Sequence, residues 1–176
     1  MYMRLVKPTR DLQSAYLSFY EEWKASGETM VPWVISKDPS DFEEMLRFLR
    51  EGELVECLPP GWVPASTYWL VDGEKVVGAV NIRHALTEQL LNCGGHIGYG
   101  VRPSERRKGY ATHILALALE KTKELGIDRV LVCCDEDNIA SERTILKNGG
   151  VFESMFIEDD GNAVKRFWIQ NENRGQ

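Results

Sequence analysis

Residues 94–125 restrict what this chain can become more than any other stretch does. A short apolar segment, Ile97-Gly98-Tyr99-Gly100-Val101, runs into Arg102-Pro103-Ser104-Glu105 and then a basic turn, Arg106-Arg107-Lys108-Gly109-Tyr110-Ala111. A long helical pattern follows through Ile114, Leu115, Leu117, Ala118, Leu119 and Leu125, stopped at Gly126. The first N–H groups of a helix lack intrahelical acceptors, and the helix dipole adds positive charge there, so a strand feeding such a turn is suited to hold an anion. Gly109 allows close backbone approach, and Arg106, Arg107 and Lys108 supply charge. The expected guest is a phosphate or pyrophosphate. Neither the P-loop spacing nor the three-glycine dinucleotide fingerprint occurs.

The rest of the chain reads as alternating element types. Met3–Val6 is expected as a strand. Two helical patterns follow, one carrying Leu12, Ala15, Tyr16, Phe19, Tyr20 and Trp23, the other Phe42, Met45, Leu46 and Leu49. From Ser66 the period changes to two, and Asp72-Gly73 predicts a hairpin turn between strands at 67–71 and 75–83. Strands at 97–101 and 129–134 flank the long helix. Asn138 is a helix cap, Gly149-Gly150 a stop, and two final strands are joined by Asp159-Asp160-Gly161-Asn162. The predicted order is β-α-α-β-β-β-α-β-α-β-β, an α/β chain with a mixed, mostly antiparallel central sheet flanked by helices. Residues 1–176 are expected as one domain, with 171–176 as a loose polar tail.

The 106–111 turn resembles the Gln/Arg-x-x-Gly-x-Gly/Ala signature of the GCN5-related N-acetyltransferases (GNAT). Asn138-Ile139-Ala140-Ser141 through Gly149-Gly150-Val151-Phe152 resembles that family's second block, with one extra residue before the phenylalanine. The resemblance implies the acyl-CoA N-acyltransferase fold over about 4–169, acetyl-CoA as co-substrate without a metal, and direct attack by a primary amine in a ternary complex. It also implies cofactor contacts from Val101, Arg106, Arg107, Lys108, Gly109, Tyr110, Ala111, Thr112, Asn138 and Ser141. Val101 would act through its backbone and Asn138 doubles as a cap. Many relatives carry a tyrosine that protonates the departing thiolate; here Ile145 stands in its place. A non-catalytic acyl-CoA-binding module with the same fold is therefore the competing reading.

An alkylammonium has a pKa near 10.4, so under about one part in a thousand is nucleophilic at neutral pH, and a base is expected to help. His96 is the first candidate, with a structural role as its alternative; His84, Glu88 and Glu136 follow. Tyr99 either orients the acceptor or packs. The resemblance implies a pocket for the acceptor, a small-molecule or peptide amine, built from the first helices and the loops before the hairpin. These offer Met30, Trp33, Leu58, Trp62 and Tyr68, with core packing as the alternative for each. A net charge of −6 argues against nucleic acid and suggests a cationic acceptor. Cys57, Cys93, Cys133 and Cys134 lack metal spacing and read as free thiols. With no signal-peptide pattern and no apolar run of about 20 residues, a cytoplasmic protein without membrane partners is expected, homodimerisation being left open.

Overall fold

Side-chain alternation in the central hairpin organises the molecule. A computed structural model describes residues 2–172. Its elements run β1 (Met3–Val6), α1 (Gln13–Ser26), α2 (Phe42–Glu51), β2 (Ala65–Asp72), β3 (Lys75–Arg83), β4 (Ile97–Val101), α3 (Tyr110–Glu124), β5 (Arg129–Asp135), α4 (Ile139–Lys147), β6 (Val151–Ile157) and β7 (Ala163–Gln170). That is the order the sequence patterns predict. On β2, Trp69 and Val71 point to one face, where Tyr16, Phe19 and Trp23 of α1 and Phe42 and Met45 of α2 cover them. Tyr16 stacks on Trp69 with ring centroids 4.1 Å apart. Leu70 points the other way and joins Val80 and Ile82 of β3 beneath Ile114, Leu115 and Ala118 of α3. This second core continues through Val130 and Val132 of β5, Phe167 of β7 and Ile145 of α4. Burying each large apolar side chain contributes roughly 1.5–3 kcal/mol.

The strands form two sheets, β1-β2-β3-β4 and β5-β7-β6, and every ladder within them is antiparallel. The single mixed sheet expected from the sequence is thus split between β4 and β5. Helix ends follow local chemistry: Asp41 caps α2 by accepting from the Glu44 N–H at 3.0 Å, and Gly27, at φ 72°, closes α1. The expected loose tail is corrected at its start. Asn171 is buried, its N–H donating to the Asp128 carbonyl at 2.8 Å and its amide to Thr122 Oγ1 at 2.9 Å. Residues 173–176 of that tail lie outside the described residues. Among the described residues no helix is long and apolar enough to cross a membrane, and no three His, Cys, Asp or Glu side chains gather as a metal site.

Candidate active site

Where the two sheets part, they are stitched by His96. Its N–H donates to the Leu131 carbonyl at 2.8 Å, and its ring Nδ1 accepts from the Leu131 N–H at 2.9 Å. Gly95, at φ +68°, brings the backbones together; a Cβ there would sit 2.6 Å from the Leu131 carbonyl oxygen. Beyond this stitch, Tyr99, Gly100 and Val101 line a cleft of about 360 Å³ shared with the 105–112 turn and the start of α4. Arg83 N–H donates to the His96 carbonyl and Arg102 N–H to that of Val77. By the alternation of an antiparallel ladder, Gly98 and Gly100 therefore turn their backbone groups to β3, whereas Tyr99 and Val101 turn theirs to the open edge. The Val101 carbonyl takes the Arg106 Nε–H at 3.2 Å. The N–H groups of Tyr99 and Val101 are left facing the cleft.

This geometry supports the structural role of His96, the alternative to its acting as a base. The ring is buried, and burial, aided by the Arg83 charge, pushes its pKa down to about 4, so it is neutral near pH 7. With Nδ1 accepting from Leu131, the single proton sits on Nε2 and no lone pair remains for an amine proton. His96 lines neither the cleft nor the second cavity described below.

The basic turn presents free backbone N–H groups more than free charges. Arg107 at φ 63° and Gly109 at φ 86° curl the chain. Among the described residues, the N–H groups from Arg107 to Thr112 have no acceptor, which makes a concave anion nest continuous with the N-terminus of α3. Two of the three expected charges are spent elsewhere. Lys108 pairs with Glu105 at 2.8 Å, and Lys75 reaches the same carboxylate. Hydrogen bonds from those two lysines hold the buried Glu105 carboxyl down at about 2. Arg106 pairs with Glu28 at 2.7 Å and lies over the Trp23 ring. Arg107, in the cleft wall, has no ion-pair partner among the described residues. Tyr110 contributes its backbone only, since its hydroxyl is tied to Asp72 at 2.6 Å.

Across the cleft, Asn138 Oδ1 caps α4 by accepting from the Ser141 N–H at 3.1 Å. Ser141 Oγ meets the Tyr99 hydroxyl at 2.7 Å. Burial raises the Tyr99 pKa to about 12, against the opposing effect of its hydrogen bond to Ser141. Thr144 lines the cleft beside them, whereas Ile145 is fully buried in the core. The position where relatives carry tyrosine is thus turned inward here. Sequence reading named Tyr99 and Ser141 separately; their contact across 42 residues is visible only in the fold.

A family model described as "Acetyltransferase (GNAT) domain" matches residues 2–151, spanning the nest, the β4 edge and α4. This chain belongs to the GNAT acetyltransferases. Acetyl-CoA is the donor used by this enzyme family, and the cleft fits it: free N–H groups at the nest for a pyrophosphate, and an unpaired strand edge for an extended arm. Solved structures of the same fold include Mycobacterium smegmatis RimJ in complex with CoA-disulfide, at 18% identity and TM-score 0.71, covering 99% of this chain and 84% of that one. An acetyltransferase from Salmonella typhimurium that modifies the N-terminal serine of ribosomal protein L7/L12 matches at 15% identity and TM-score 0.69, covering 97% and 95%. A mutant of Vibrio cholerae spermidine N-acetyltransferase SpeG matches at 13% and TM-score 0.63, covering 97% and 95%. No curated protein matches the sequence.

This GNAT chain carries a second, larger cavity of about 810 Å³ on the α1–α2 face of the first sheet. Trp33, Phe48 and Trp62 wall it, with Trp33 edge-on to both Trp62 (5.7 Å) and Phe48 (6.1 Å). Thr67, Asn81 and Arg83 form its floor. Of the expected acceptor set, Trp33, Leu58 and Trp62 line it. Met30 packs instead on the α1–α2 core, and Tyr68 faces α3 because neighbouring strand residues alternate, leaving Thr67 toward the cavity. His84, bonded to Ser66 Oγ at 2.7 Å, lines neither cavity, and nor do Glu88 and Glu136.

Proposed function

We propose that the protein transfers the acetyl group of acetyl-CoA to an amine held in the aromatic cavity. The observation that carries this is the convergence, on one cleft, of the unpaired N–H nest, the open edge of β4 and the Tyr99–Ser141 hydroxyl pair. When bound, acetyl-CoA supplies an acyl thioester whose C–S bond breaks as the acceptor's N–C bond forms. Val101 and Tyr99 present fixed N–H dipoles where negative charge develops on the acyl oxygen. Arg107, Gly109, Ala111 and Thr112 hold the pyrophosphate with their backbones, Arg107 adding its charge; Asn138 and Ser141 shape the arm's channel. The Tyr99 hydroxyl, neutral up to about pH 12, donates a hydrogen bond to the departing sulfur. A thiol's pKa is only about 8.5, so the sulfur leaves as thiolate without taking that proton outright.

No histidine lines either cavity among the described residues, Glu105 in the cleft wall is locked to two lysines, and Glu51, the carboxylate lining the aromatic cavity, is exposed to water. The amine therefore loses its proton to solvent. An α-amine of pKa near 8 exists as free base to roughly one part in ten at neutral pH, far more than an alkylamine. The test has two readouts. Acetyl-CoA should raise the melting temperature much more than ATP or NAD at equal concentration, and thiol should be released from acetyl-CoA when an acceptor amine is added. Binding without release against every amine would leave a binding-only protein. Equal shifts from all three nucleotides would remove the cofactor assignment itself.

A further inference from the structure

The floor of the aromatic cavity holds a cation that no carboxylate pairs with among the described residues. Arg83 ends β3, and its Nη1 donates to the carbonyls of Gly94 and Gly95 at 3.1 and 3.3 Å. Among the described residues it makes no ion pair, and no bond engages Nε or Nη2. The guanidinium stands over Gly98 of β4, close enough that a Cβ there would touch Nη2 at 3.5 Å, an ordinary van der Waals contact. Burial pushes its pKa down, opposed by the nearby Cys133 thiol. Two carbonyls fix one end of a planar fork, and the Nε–Nη2 edge left over matches a carboxylate in geometry. The surrounding walls are Trp33, Phe48, Trp62, Leu58 and Leu90; the one carboxylate that lines the cavity is the exposed Glu51.

We infer that the acceptor is an amine that also carries a carboxylate and an apolar or aromatic body, with the carboxylate seated on Arg83 and the body between Trp33 and Trp62. This rests on the cavity being the acceptor site of the acetyl transfer proposed above. Because Arg83 stands over Gly98, one residue before Tyr99 on the strand that borders the cofactor cleft, a carboxylate held there keeps its molecule at the reacting end of β4. A polyamine is disfavoured by the same charge: its ammonium groups would meet a half-buried guanidinium. Free amino acids and peptide N-termini with a nearby acidic group share this chemistry.

Acceptors matched in body and differing in the carboxylate test it, their rates compared per fraction of free amine. Thiol release from acetyl-CoA is measured with tryptophan, tryptophan amide and tryptamine. Two short peptides with an N-terminal apolar residue are added, one followed by aspartate and one by asparagine, together with spermidine. The carboxylate-bearing member of each pair should lead in kcat/KM by roughly 10- to 100-fold, the scale of a charged hydrogen bond. The tryptophan set against the peptide set identifies the source. Arg83→Gln should abolish the preference, and Arg83→Lys should retain part of it. Affinity for CoA, titrated by calorimetry, should be unchanged in both variants. Independently of turnover, N-acetyltryptophan should bind the wild-type CoA complex and N-acetyltryptamine should bind much more weakly. Equal use of both members of each pair overturns the inference. So does a preference that survives Arg83→Gln, or failure of either acetylated product to bind a complex that holds CoA. Failure to bind CoA at all is a different result, and it overturns the acetyl-transfer reading instead.

Discussion

At the scale of single residues, the cofactor turn depends on backbone shapes that few side chains accept. Gly109 sits at φ +86° with its nearest non-neighbour heavy atom 4.0 Å from an ideal Cβ, so space within the protein is not what forbids a side chain. Conformation forbids it, and so does the ligand that the nest would hold. Gly109→Val should weaken CoA binding by well over about 10-fold and destabilise the fold by roughly 1–3 kcal/mol, read by calorimetric titration and urea unfolding. Unchanged CoA affinity in a folded variant would falsify the nest as the pyrophosphate site. Tyr99 makes a different prediction. Tyr99→Phe removes the hydroxyl that meets Ser141 at 2.7 Å and should lower kcat by roughly 10-fold or more, the value of a hydrogen bond to a charged group. KM for acetyl-CoA should stay within about twofold. Since the hydroxyl titrates near 12, the wild-type rate should show no loss from its ionisation below about pH 10. A pH limb near 8 that vanishes in the phenylalanine variant would contradict this.

At the scale of elements, the junction of β4 and β5 carries the geometry of the site. As the strands splay, Leu131 loses the backbone acceptor that a continuous sheet would offer, and the His96 ring takes its place. His96→Ala should therefore act on stability, by roughly 1–3 kcal/mol for the orphaned Leu131 N–H plus lost packing, measured by urea unfolding. Residual activity should keep the wild-type pH profile. A fall of roughly 100-fold in kcat at unchanged stability would instead return His96 to the role of base. The hairpin turn between β2 and β3 supports the nest in the same manner: Asp72 holds Tyr110, and Lys75 reaches Glu105. These contacts explain why a turn rich in Arg and Lys spends two of its charges on architecture and leaves its N–H groups for the ligand.

At the scale of the whole molecule, acid should unfold the protein in two windows. His96 is held near 4 in the fold against an ordinary 6.5, so the fold favours its neutral form. That contribution is complete above pH 6.5 and is lost as the pH falls through 4. Glu105 is held near 2 against 4.5, so its contribution is complete above pH 4.5 and is lost as the pH falls toward 2. Urea midpoints measured across pH should decline through both windows, with the upper decline reduced in His96→Ala and the lower in Glu105→Gln. An unaltered upper window in the histidine variant would show that other groups carry it. Net charge is a poorer guide at this scale. The overall −6 suggests a cationic acceptor, whereas the aromatic cavity proposed for the acceptor is lined by Arg83.

The order of helices and strands, the nest-forming turn at the head of α3 and the family itself were legible in the sequence. Each is set by short-range chemistry: periods of 3.6 and 2, helix caps at Asp41 and Asn138, and a glycine where φ is positive. The splitting of the sheet and the partners of its functional groups were not. His96 reads alike as base or strut until Leu131, 35 residues away, is seen to occupy its Nδ1. Ile145 reads as a gap in a catalytic helix until its side chain proves to be core. That Lys108 and Arg106 pair with Glu105 and Glu28 is likewise invisible along the chain. Arg83 carried no local signal, because its surroundings, the Gly94 and Gly95 carbonyls and the aromatic cavity, come together only in the fold. Spacing along the chain prescribes local backbone form, whereas the face a side chain presents, and the groups it meets there, are decided by register and packing between segments far apart in sequence.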